Sequence, residues 1–246
     1  MASSTSPYAP SLSATDGRSA PIRTVRRSFF STSVGTKVLV GATGLLLFIY
    51  LVVHVLGNAL IFFGPRTFNG YSQFLISSPL IVPIEVGLLL IFLLHVYKTV
   101  TNWANNRRAR PVPYHKRRWA GPPSRKSIAS STMIWGGLIT FAFILVHLQQ
   151  FKFGTEYQVA GQPGMRDLYR TEVENFSSPL NVAFYMVCMV VIGSHLWHGF
   201  SSAFQSLGLN WPWLTPLVLR IGKILAVLIA GGFLVIPIWV YLYGAR

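Results

Sequence analysis

The 246-residue sequence predicts an all-α membrane protein with five spanning helices, and three observations carry that prediction. Hydrophobic residues make up 52% of the chain and charged residues only 11%, against about 25% charged in soluble domains. Five apolar stretches reach the ~20 residues that a helix needs to cross the hydrocarbon layer. Period-two alternation, the mark of a transmembrane barrel, is missing from all five.

In chain order the spans fall at about 36–63, 80–104, 129–150, 180–206 and 217–243, each rich in Leu, Ile, Val and Phe with scattered Gly. Residues 1–34 stand apart. They are rich in Ser, Pro and Arg, hold one acid, Asp16, and lack the apolar core of a secretory signal. A transit peptide shares this composition, but no clean amphipathic helix is present, which favours a disordered cytoplasmic arm. Residues 35–246 then form one membrane domain.

The formal net charge is +15, from 21 Lys and Arg against 6 Asp and Glu. Nucleic-acid binding would need those cations on one face of a soluble fold. Here they sit in short segments between apolar blocks, so no nucleic-acid partner is expected. Sixteen lie in the arm, in the connection between spans two and three with its margins, and just before span five. The other side carries five: Arg66, Lys152, Arg166, Arg170 and Arg246. The positive-inside rule places the N-terminus in the cytoplasm. The longest outer connection, between spans three and four, holds Glu156, Asp167, Glu172 and Glu174. Cys188 is the only cysteine, which excludes an intrachain disulfide, cysteine-ligated zinc and C-x-x-C-H haem attachment.

Five of six histidines, His54, His95, His147, His195 and His198, lie within spans; His115 falls in the basic connection. One intramembrane imidazole alone is as well explained by a hydrogen bond to a neighbouring helix. Depth changes that balance. His54 and His147 each lie 18 residues into outward-running spans, about 27 Å from the inner ends. His95 and His195 lie 9 and 11 residues before the inner ends of inward-running spans, about 14–17 Å deep. Two facing imidazoles at one level can supply both axial ligands of a haem. Zinc or non-haem iron would want three or four converging ligands. The pairs therefore predict two b-type haems held within a four-helix core, His54 and His147 on the outer and His95 and His195 on the inner, with the fifth helix alongside. His198 lies on nearly the same face as His195 and remains the alternative ligand or a neighbour of the inner haem. Gly199, one turn from His195, and Gly57, beside His54, would let a porphyrin approach.

These residues resemble a known family. The first span carries Lys37, Thr43-Gly44 and His54-Val-Leu-Gly57-Asn58; Phe68-Asn69-x-Tyr71, Glu85-x-Gly87-Leu-Leu and His95 follow. Ser131-Thr132-Met133, His147-Leu148 and Phe151-Lys152 mark the third span, and the fourth runs from His195-Leu-Trp-His198-Gly199 to Gln205-Ser-Leu-Gly208. The whole is similar to the five-helix, two-haem cytochrome b anchor of succinate dehydrogenase and fumarate reductase. That family's Gly four residues after the fourth ligand selects His195. The resemblance implies a bacterial inner-membrane subunit, multi-pass, that does not bind succinate itself. It would dock a flavoprotein and an iron–sulfur subunit on the cytoplasmic face and pass electrons through two haem b groups to a quinone, menaquinone rather than ubiquinone. Fumarate reductase working in reverse, or the anchor of another dehydrogenase, is the alternative. The chain's own lack of a Gly-rich nucleotide fingerprint and of a cysteine cluster agrees with partners supplying that chemistry. The basic connection would serve docking, or simply orientation and anionic lipid heads. Glu85, the one carboxylate inside a span, would exchange protons with the quinone, with Asn58, Tyr71 and Gln73 as polar neighbours.

Overall fold

A computed structural model describes residues 28–110, 112 and 127–244. Most of the arm, His115 and most of the basic connection lie outside them. Among the described residues the chain is helical without strands, apart from one isolated bridge between Gln158 and Arg166. The elements are α1 (Ser33–Asn58), continued by a 3-10 turn (Ala59–Phe63), α2 (Pro65–Ile76), α3 (Ile81–Arg108), α4 (Ile128–Ser131), α5 (Met133–Phe151), α6 (Leu168–Phe176), α7 (Pro179–Ser206) and α8 (Leu214–Tyr243). Five of these segments are long and apolar enough to cross a membrane.

Local signals set the boundaries. Thr32 caps α1 by accepting a hydrogen bond from the Gly35 N–H at 3.0 Å. Gly64 takes φ +88°, turning the chain back, and Pro65 opens α2 where its missing N–H costs nothing. Pro179 opens α7 in the same way. The third span is shorter than its hydropathy suggests. A single turn, α4, is opened by a reciprocal capping box between Ser127 and Ser130, and the chain breaks at Thr132 before α5 begins.

Helix α7 is the hub: it packs most extensively on α8 and also on α1 and α5, while α1 holds α3 on its other side. The buried core follows that pattern. Met189, Ile192 and Leu196 of α7 meet Ala226, Ile229 and Ile236 of α8, whereas α3 has no buried residue. Helices α3 and α5 touch little, bridged by a parallel ring pair, Phe92 and Phe141, at 5.9 Å.

Helices α2 and α6 are amphipathic and lie together across one end of the bundle. Span arithmetic read both only as connections. Asn69 joins them: its Nδ2 donates to Asp167 Oδ1 at 2.8 Å and its Oδ1 accepts from the Tyr169 N–H at 2.8 Å. Asp167 in turn caps α6 through the Arg170 N–H. Replacing Asn69, 3% exposed, with Ala leaves the Tyr169 N–H unpaired and takes one of two donors from Asp167, at a cost of about 1–3 kcal/mol. The expected readout is a lower unfolding temperature together with faster proteolysis in the 153–167 loop.

Candidate functional site

The two histidines expected at the outer level meet. His54 on α1 and His147 on α5 have ring centroids 5.9 Å apart at 83°. Aromatic rings enclose them: Tyr50 stacks on His54 at 5.2 Å, and Phe143, Phe151 and Tyr185 surround His147. The fifth long helix contributes more than support, because Phe233 of α8 lies 5.4 Å from His54.

The inner histidines are seated by glycine on the facing helices. A side chain at Gly44 of α1 would come within 3.2 Å of His95 Cε1, and one at Gly137 of α5 within 3.4 Å of His195 Cε1. These contacts also give depth. Gly44 is ten residues from His54 along α1, and Gly137 ten from His147 along α5, so the two levels are about 15 Å apart on both helices. His195 lies within electrostatic range of both His95 and His198.

Hydrogen bonding decides which ring nitrogen is offered. Thr43 Oγ1 donates to the Leu39 carbonyl at 2.7 Å, so toward His95 Nδ1, 3.0 Å away, it can only accept. The His95 proton then sits on Nδ1, and Nε2 presents its lone pair, the form a metal takes. Tyr185 acts likewise on His147: its hydroxyl donates to Gln150 Oε1 at 2.6 Å and faces His147 Nδ1 at 3.4 Å. His195 Nδ1 is buried with no hydrogen bond of ordinary geometry, and the Met133 backbone is the polar group nearest its ring. His54 differs, since Asn58 Nδ2 donates both to its carbonyl at 2.8 Å and toward its Nδ1 at 3.2 Å. Coordination through His54 Nε2 requires that amide to turn.

The remaining predicted residues are distributed unevenly. Gly57 is covered by Tyr71: a side chain there would lie 2.7 Å from Tyr71 Cε1, so its room is used by α2. At Gly199 the nearest atom to such a side chain is Met133 Cε at 4.0 Å, leaving that face of α7 open. Glu85, the one carboxylate placed inside a span, forms an ion pair with Lys152 at 2.5 Å, both about half exposed. It lies within electrostatic range of Tyr50, the ring stacked on His54. Gln73 is half-buried on α2.

Glu172 was legible in the sequence only as one of four acids in the connection between spans three and four. It is 6% exposed, on the same face of α6 as Phe176, which packs edge-on against Tyr185 at 4.9 Å. Burial pushes its carboxyl up to about 8, so near neutral pH it is largely protonated. Its neighbour Glu174 is exposed and held below the usual carboxylate range by Tyr157 and Arg170. The four-residue spacing of Glu172 and Phe176 on an Asp-capped helix was the available signal.

Among the described residues no group of three or more His, Cys, Asp or Glu converges to hold a metal ion. No family model matches the chain, and neither curated proteins nor solved structures provide a match.

Proposed function

We propose that this chain is the haem-bearing membrane anchor of a succinate:quinone oxidoreductase, carrying electrons from a docked iron–sulfur subunit to a quinone. The observation that carries the reading is the set of four imidazoles from four helices in two levels. The outer pair is in ring contact and the inner pair is seated by Gly44 and Gly137. Bis-imidazole haem suits this donor set, and each haem would supply reversible one-electron chemistry.

Within that reading His54 and His147 hold one group and His95 and His195 the other. Thr43 and Tyr185 orient rings through Nδ1 and so keep Nε2 available. The aromatic cage around the outer pair and the apolar flank of α7 exclude water. Glu85 and Lys152 lie at the outer mouth, where they can bind and exchange protons with a quinone headgroup. The excess of cations on the side of the N-terminus supports a cytoplasmic docking face. A carrier of protons by isolated histidines is less well supported, because it gives no reason for matched levels or for glycine seats.

A reduced-minus-oxidised optical spectrum of the purified chain tests the proposal. A b-type band with two haems per chain is expected, and its absence sinks the reading. Co-purification of a flavoprotein and an iron–sulfur protein with the tagged chain tests the succinate part separately.

A further inference from the structure

The seam between α7 and α8 contains a groove of about 240 Å³ that none of the preceding chemistry uses. Met189, Gly193 and Trp197 line one wall, and Ala226, Ala230 and Gly231 the other. Its floor is a close approach of the helices, since a side chain at Gly193 would come within 2.9 Å of Ala230 Cβ. The lining offers no hydrogen-bonding side chain apart from the Trp197 indole. That suits a hydrocarbon chain and gives a quinone headgroup nothing to hold its carbonyls.

One end of the groove is cationic. Trp197, half exposed, carries the Lys223 ammonium 5.4 Å from its ring centroid. Arg220 lies one turn nearer the start of α8, and both cations are exposed. Among the described residues neither forms a salt bridge. Lys223 is nine residues into α8, about 14 Å along its axis, a depth from which its stem can carry the ammonium to the headgroup layer. Apolar wall and cationic mouth thus follow one another in the order of a phospholipid's tail and phosphate.

We propose that this groove binds an anionic phospholipid of the leaflet on the Arg220 side, one acyl chain between α7 and α8 and the phosphate at Lys223 and Arg220. The site is independent of the haem-anchor reading, because it uses none of the paired histidines. It makes α8 a lipid-binding helix as well as a wall of the bundle.

The test uses the whole chain purified in mild detergent, with bound lipid counted by native mass spectrometry after exposure to phosphatidylglycerol or phosphatidylcholine. Gly231 gives the steric arm: nothing lies within 4 Å of a side chain placed there, so Gly231→Leu fills the groove without a clash. Expected are a retained phosphatidylglycerol on the unaltered chain and its loss in Gly231→Leu. Lys223→Gln and Arg220→Gln should each weaken the preference for phosphatidylglycerol about fivefold, the effect of one cation at an anionic surface. These two are exposed changes and keep the test decisive if Gly231→Leu fails to fold. Equal retention of the two lipids by the unaltered chain overturns the proposal. So does a retained quinone, or a dimer, that Gly231→Leu abolishes while phospholipid binding is unchanged.

Discussion

His54→Ala and His147→Ala are each expected to lower the haem content of the purified chain from two per chain to one, with loss of the same spectral component. His95→Ala and His195→Ala should remove the other component, and His198→Ala should leave both. The reasoning is geometric. His54 and His147 share a level with rings 5.9 Å apart, while Gly44 and Gly137, against which His95 and His195 lie, are about 15 Å from that level along α1 and α5. Loss of one imidazole therefore uncouples only its own level. Haem extraction with an optical spectrum measures both content and component. A spectrum in which His54→Ala and His95→Ala remove the same component would break the pairing. If His198→Ala removes a haem and His195→Ala does not, the assignment on α7 is wrong. Thr43→Val adds a finer control: it should retain the inner haem but broaden its signal, because it frees the His95 ring from its Nδ1 acceptor.

Glu172→Gln is expected to raise thermal stability at mildly alkaline pH and to flatten its pH dependence. The native carboxyl titrates at about 8 rather than at its ordinary 4.5. A folded-state value above the unfolded one means that stability is fully present below the unfolded value and is lost as pH rises. Between those values the unfolded chain releases a proton that the folded chain keeps. The slope is about 1.4 kcal/mol per pH unit, near 5 kcal/mol over the whole window as an upper figure. Above about 8 both states are ionised and the slope ends. Gln keeps the shape of the side chain and cannot ionise, so the variant should follow a level line where the unaltered chain declines. Unfolding in detergent monitored by circular dichroism across that range measures the difference. A parallel decline in both proteins would assign the pH dependence to other groups.

The two predictions differ in how far each was legible before folding. Periodic depth along a helix is a one-dimensional quantity, rise times residue count, so the partition of His54, His95, His147 and His195 into two levels needed no tertiary contact. It survived an error in a helix start: α5 begins at Met133, not near 129, because the backbone leaves helical geometry at Thr132 after the single turn α4. The spacing of the levels came out near 15 Å where counting suggested about 10–13 Å. Glu172 was not legible in the same way. Its depth belongs to α6 lying across the bundle end, a placement held by Asn69 from a hundred residues earlier in the chain.

Lateral neighbours divide along the same line. Gly57 beside His54 suggested a porphyrin contact, yet the ring that fills its space is Tyr71, brought back over α1 by the turn at Gly64. Glu85 read as a lone intramembrane carboxylate, and its cation, Lys152, comes from 67 residues away. The fifth span offered no histidine, but its Phe233 closes the outer pair.

By itself, then, the sequence determined how many helices are long and apolar enough to cross a membrane and how far apart the imidazoles lie along them. Each follows from hydropathy and helical rise, which act along the chain. Only the tertiary structure decided which helix faces which, where Nδ1 protons sit, and that two short amphipathic helices cap the bundle and bury an acid. Those outcomes depend on side-chain packing and directional hydrogen bonds between distant segments, which hydropathy and rise do not encode.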